Sequence, residues 1–342
     1  MSMYIKFIIL VFISILHLSY IEQESMKTHH KYKKYQDKYG YIPESDKGDI
    51  HKIKSRMLQG IYRGEKIEGV YCNYVKDSSC FVNFMRNDKL QKDAKIELIE
   101  IKNRRRLTDE TRLCNNLLSS QPLAFNIFLP LKWNNYKIVT KVFKELLPNL
   151  NIEKITDIKL EYVPGDENDK RLIETDKSCF DVFVEYKTLT DEKKCIGIEA
   201  KYTEPFSTKN FNNVPLSKKQ KYFDAIEKYK NQFSSKNTEK YLSVKFNQLF
   251  RNQLIIEEVK SKTEYSDCIQ VVLFSEGDTK CVVAIDEFKQ LIKLDNSFKK
   301  ITIEKLVKSI LEKTEEPEMK DLYQQIFERY CDYNKIAKYI NE

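Results

Sequence analysis

Two apolar runs flanking a short turn, KSCFDVFVEYKT (177–188) and KKCIGIEAKYTE (193–204) on either side of LTDE, constrain this chain more than anything else in it. Their β-branched and aromatic residues, and the brevity of the link, predict an antiparallel hairpin. Centred on Thr190, that hairpin puts Asp181 opposite Glu199. Val182, Val184 and Tyr186 then share an apolar face with Ile196, Ile198 and Ala200, while Asp181, Glu199 and Lys201 lie together on the other face, because side chains alternate along a strand.

Two acids directly opposed on neighbouring strands repel one another and make chemical sense mainly with a cation between them. Magnesium suits such a pair: it takes hard oxygen ligands, keeps several waters, and needs only one or two carboxylates. Lys201, two residues beyond Glu199, is placed to orient or deprotonate an attacking water, or to neutralise charge developing at phosphorus. E-x-K by itself is uninformative, since it also begins at Glu100, Glu185, Glu192, Glu258, Glu287 and Glu318. The copy at Glu199 differs because it interrupts an apolar strand, where an uncompensated charge is costly. The competing reading is a strand-edge salt bridge on an exposed sheet face.

The surrounding sequence fits an α/β protein. With 342 residues and 41% hydrophobic content, the chain can bury a sizeable core. Phe7–Leu18 is an apolar run of leader or anchor type, short for a spanning helix. Residues 1–25 are accordingly set apart, and cytoplasmic residence is expected, with membrane association or export through residues 7–18 as the alternative. Residues 26–56 read as a basic lead-in without periodicity. Gly60–Phe84 reads as strands in a hairpin around Lys76–Ser79, completing an N-terminal segment of 26–107. A core over 108–290 follows: a helix over 108–120 capped by Thr108 or Asp109, an apolar run at 123–131, a helix over 136–148, and a strand over 155–165 ending at Pro164–Gly165. Beyond the hairpin come helices at 216–231 and 245–260 and strands at 268–275 and 281–285. C-terminal helices (291–342) are expected to pack on the core. Helices before and after a few strands predict a central β-sheet flanked by helices.

Several chemistries are excluded. All four histidines (17, 29, 30 and 51) precede the predicted core, which removes His-based triads and zinc-protease sites. The glycines form no nucleotide-binding loop. Eight cysteines (72, 80, 114, 179, 195, 268, 281 and 331) show no C-x-x-C pair, so they are read as reduced, buried thiols in a reducing compartment. The net charge of +8 is a mild field compatible with a polyanion. Carboxylate and lysine chemistry remains.

Phe180–Asp181 followed by Glu199-Ala200-Lys201 resembles the PD-(D/E)xK nuclease superfamily, with Phe180 in place of the nominal proline. The segments SSQPLAFNIF (119–128), EYVPG (161–165), CFDVFVEY (179–186) and IGIEAKYTE (196–204) resemble, more specifically, a bacterial PD-(D/E)xK nuclease-like domain family. The resemblance implies a restriction-endonuclease-like mixed sheet flanked by helices. It also implies Asp181 and Glu199 as metal ligands, Lys201 as the catalytic lysine, magnesium (or manganese) as cofactor, and DNA as the default nucleic-acid substrate. A catalytically inactive nuclease-fold protein that binds nucleic acid or a partner is the alternative function. Secondary candidates are Glu161, as a further metal ligand or a solvated strand-end acid, and Glu204, as a contact of Lys201 or of a water. Gln248 and Arg251 are candidates for phosphate contacts, against a solvated helix face, and Gln121 for positioning backbone or substrate. Pro122, Phe125 and Phe128 are read as core.

Overall fold

The computed structural model describes residues 32–67, 73–75, 81–103, 110–162, 178–293 and 295–340. The apolar segment 7–18, the hairpin expected around Lys76–Ser79, the caps Thr108 and Asp109, and the Pro164–Gly165 turn lie outside the described residues. In chain order the main elements are α1 (Lys33–Tyr39), α2 (Ile50–Lys66), α3 (Asp88–Asn103), α4 (Ser120–Phe128) and α5 (Lys137–Leu146). They continue with β1 (Ile152–Tyr162), β2 (Phe180–Thr188), β3 (Lys193–Lys201), α6 (Leu216–Lys228), α7 (Asn247–Lys262) and β4 (Asp267–Phe274). The chain closes with α8 (Thr279–Leu291), β5 (Phe298–Thr302), α9 (Ile303–Lys313) and α10 (Pro317–Tyr330), then a short helical turn, Ala337–Ile340. Among the described residues, no helix is long and apolar enough to cross a membrane.

The chain divides into two compact units. One comprises the described residues up to Tyr74 together with those from Asp332, and the other runs from Val75 to Cys331. In the first, Ile53, Met57 and Ile61 of α2 share one core with Tyr35 and Tyr39 of α1 and with Tyr339. This corrects two expectations. The stretch 26–56, read as a lead-in without periodicity, contains α1 and the start of α2, and Gly60–Lys66, read as the opening of a strand, is the end of α2. The misleading signal was glycine: Gly60 and Gly64 sit inside the helix because the rings of Tyr35 and Tyr39 lie where a Cβ would be. Phe81–Asn83, read as part of the second strand, is a 3₁₀ turn.

The second unit is built on a five-stranded mixed sheet in the order β1-β2-β3-β4-β5. The first three strands are antiparallel, and β3–β4 and β4–β5 are parallel. Parallel neighbours require crossover connections; α6 and α7 occupy the first crossover and α8 the second. The β2–β3 hairpin has the predicted register, with Val182 opposite Ile198 and Val184 opposite Ile196. Its turn is closed by the Thr188 amide donating to the Glu192 carbonyl at 3.1 Å, and Asp191 takes the left-handed conformation that Asp tolerates (φ 60°). Both faces of the hairpin are covered: Val182 and Val184 are as fully buried as Phe183 and Cys195, which pack with Ile255, Ile256 and Val259 of α7.

Two further expectations change. CVVAI (281–285) is not a strand but the first turns of α8, capped by the Asp278 carboxylate, which accepts the Cys281 amide at 2.9 Å. Cys281, Ala284, Ile285 and Phe288 are the buried residues, at helical spacing, whereas Val283 is 50% exposed. Five apolar residues fit either period, and here the cap decides. Nor are the cysteines uniformly reduced: Cys195 and Cys268, opposite one another in the β3–β4 register, form a cross-strand disulfide. Cys114 is also disulfide-bonded, while Cys179 and Cys281 carry free thiols.

Candidate active site

The site is a row of acids across three adjacent strands. In the β1–β2 pairing Leu160 faces Val182 and Tyr162 faces Phe180, so Glu161 falls beside Asp181. The β2–β3 register carries Asp181 on to Glu199. Glu161 is 7% exposed, Glu199 2% and Lys201 6%, while Asp181 between the two glutamates is half-buried, the one acid of the row that water reaches. The exposed sheet face of the salt-bridge reading is absent.

Each side chain is held in a defined way. Asp181 accepts the Ala200 backbone amide at 2.7 Å, which ties β2 to β3 at the cluster. Glu199 accepts from the Lys201 ammonium at 2.9 Å and from Gln248 Nε2 at 2.6 Å, both on Oε1, and from Asn252 Nδ2 at 2.8 Å on Oε2. Glu161 accepts from Gln121 Nε2 and from the Cys179 thiol, each at 3.3 Å. Its backbone lies in the left-handed region (φ 47°), a costly conformation for a residue with a long side chain, of the sort that accumulates at functional sites. Gly197 explains how Phe180 serves in place of proline. The Phe180 ring lies 2.5 Å from where a Cβ at Gly197 would stand, so glycine on β3 makes room for the residue that precedes Asp181.

The electrostatics follow from burial and crowding. Burial raises Asp181 well above the usual carboxylate range, and the charges of Glu199 and Glu161 push the same way. Burial, offset in part by the Cys179 hydrogen bond, pushes Glu161 up to about 7, with Glu199 adding to the rise. For Lys201, burial works against the charged form, yet Glu199, Asp181 and Glu204 outweigh it and raise the lysine above its ordinary value. In the metal-free site burial and mutual repulsion therefore favour the protonated forms of Asp181 and Glu161, beside one firmly protonated lysine.

Other expected residues take particular places. Gln121, near the start of α4, bonds Glu161. Glu204 accepts the Ser120 amide at 3.1 and 3.2 Å and pairs with Arg112 at 2.7 Å, so it caps α4 and reaches Lys201 through charge alone. Gln248 bonds Glu199, whereas Arg251 lies over the Phe211 ring at 5.2 Å. Asn252 was missed by sequence reading, although a polar residue four positions after Gln248, between the buried Phe250 and Leu254, was the available signal.

Among the described residues, no group of three His, Cys, Asp or Glu side chains forms a ready metal cage. The donor set nevertheless fits a hard cation. Asp181, Glu199 and Glu161 are crowded oxygen donors, and buried oxygens of Gln121, Gln248 and Asn252 have no hydrogen-bond partner. Zinc would call for nitrogen or sulfur ligands, and the donors of the row are carboxylates.

No curated protein and no solved structure matches this chain significantly. A sequence model of the PD-(D/E)XK nuclease superfamily, however, matches residues 46–332. That span is well over half the chain and includes every strand of the sheet and every residue of the acidic row: the chain belongs to the PD-(D/E)XK nuclease superfamily.

Proposed function

We propose that this chain is a magnesium-dependent nuclease that hydrolyses phosphodiester bonds in DNA. The observation that carries the reading is the row Glu161, Asp181 and Glu199 on three adjacent strands, buried at Glu161 and Glu199 and half-buried at Asp181, with Lys201 against it. A fold that had lost activity would have no reason to keep crowded acids that repel one another out of water.

Asp181 and Glu199, with Glu161 beside them, would hold the magnesium ion, and manganese would serve the same ligands. Bound there, the metal supplies Lewis acidity to a phosphoryl oxygen and eases ionisation of water. Lys201 is kept protonated by its neighbours, so it acts as a cation and donor rather than as a base. Its ammonium carries three N–H donors, and the Glu199 contact uses one. The remainder are available to orient a water or to stabilise charge on the phosphoryl oxygens. Gln121 orients Glu161, and Glu204 fixes the start of α4, from which Gln121 reaches the site.

The test is incubation of the purified chain with linear and circular duplex DNA, single-stranded DNA and RNA in magnesium, beside EDTA and Asp181→Ala controls. Magnesium-dependent cutting of DNA that Asp181→Ala abolishes is the expected result. A folded protein that cuts none of these substrates, with magnesium or manganese, overturns the proposal.

A further inference from the structure

We propose that Gln248 and Asn252, one turn apart on α7, are positioning residues that set the orientation of Glu199 as a metal ligand. The inference rests on the nuclease reading above and assigns these two amides a role distinct from nucleic-acid contact. Both donate to the Glu199 carboxylate, Gln248 to Oε1 at 2.6 Å and Asn252 to Oε2 at 2.8 Å. A carboxylate oxygen is an acceptor only, so the amide nitrogens must be the atoms facing it.

The arrangement does what Lys201 alone cannot. An ionised carboxylate offers about four acceptor sites, two on each oxygen. Lys201 and Gln248 occupy Oε1, and Asn252 occupies one site on Oε2, which leaves one site over, on Oε2. Because the amides are neutral, they fix the carboxylate without cancelling the charge a cation needs.

The donors are themselves rigidly mounted. Between and beyond them, Leu249, Phe250 and Leu254 enter one apolar cluster, and Ile255, Ile256 and Val259 enter another beneath the sheet. A helix anchored along that length places side chains more tightly than a loop. The buried Gln248 Oε1 and Asn252 Oδ1, which have no hydrogen-bond partner, are acceptors for a water brought into the site.

The experiment is calorimetric titration of Mn(II) into the full chain, Asn252→Leu, Gln248→Met and Asp181→Asn, with DNA binding measured separately in EDTA. Both test substitutions remove the donor at similar volume and add no charge. Hydrogen-bond partners of metal ligands are worth about 10–100-fold in affinity, and a loss of that size is expected in Asn252→Leu, with a smaller one in Gln248→Met. DNA affinity in EDTA stays unchanged. Manganese affinity equal to wild type in folded variants overturns the proposal, as does lost DNA affinity with manganese binding intact. If Asn252→Leu does not fold, Gln248→Met decides alone by the same criteria. Failure of the nuclease reading is visible in the wild type itself, as an absence of manganese binding that Asp181→Asn removes, and it overturns the positioning role with it.

Discussion

The acidic row makes the metal-free protein sensitive to pH in a direction opposite to that of most carboxylates, and Glu161→Gln isolates the effect. Glu161 has its midpoint at about 7 in the folded chain, against an ordinary value of 4.5. Below 4.5 the carboxyl is protonated whether the chain is folded or not. Between 4.5 and about 7 the unfolded side chain ionises while the buried one keeps its proton, so the unfolded state binds fewer protons and stability falls as pH rises. At about 1.4 kcal/mol per pH unit, that interval corresponds to roughly 3 kcal/mol lost by pH 8. Glutamine keeps the shape and the bond from Gln121 but has no proton to lose. Urea unfolding of wild type and Glu161→Gln in EDTA, from pH 4 to pH 8, reads the difference directly. The variant gains roughly 3 kcal/mol on wild type across the range. Asp181 titrates with Glu161, so its own slope is smaller in the variant, where the Glu161 charge no longer raises it, and the difference read belongs to the pair. A stability difference that stays constant across the range refutes the reasoning, because Glu161 would then ionise alike in both states. Magnesium at pH 8 should restore wild type more than the variant.

Three further outcomes follow from the same geometry. Lys201→Met leaves the Glu199 carboxylate, itself 2% exposed, without its counter-charge; removing one partner of a buried pair costs about 3–5 kcal/mol, so the metal-free variant should melt well below wild type and recover in part with magnesium. Equal stability in EDTA would show that the lysine does not compensate the cluster. Gly197→Ala drives a Cβ into the Phe180 ring, an overpacking cost of about 1–3 kcal/mol, and should lower the thermal midpoint; an unchanged melt would mean that the ring moves freely. Glu204→Ala removes the acceptor at the start of α4 and the partner of Arg112, and a loss of about 1 kcal/mol is expected by urea unfolding, with no loss counting against the capping role.

What was legible in the sequence was local and periodic. A short turn between two apolar runs leaves one register, since a slip of one residue would turn every side chain of one strand to the opposite face of the sheet. Asp181, Glu199 and Lys201 could therefore be set on one face before any coordinates. A central sheet flanked by helices followed from the strands and helices around it, and its mixed strand order from the family resemblance. The motif's looseness at Phe180 was visible too, but its reason, the absent side chain at Gly197 on the neighbouring strand, was not. Where a run was short or interrupted, period was a poor guide: CVVAI fits strand and helix alike, and Gly60 suggested a break in a helix whose glycine faces are filled by tyrosines.

The tertiary structure decided what depends on elements far apart in the chain. Glu161 joins the acidic row only because β1 pairs with β2, and Cys195 meets Cys268 only because β3 and β4 run parallel in register across a separation of 73 residues. Gln248 and Asn252 lie 49 and 53 residues from the carboxylate they hold, and no period in the sequence spans that distance. Alternation tells which side chains share a face; which other elements supply the partners on that face is set by packing, and packing is a property of the whole folded chain.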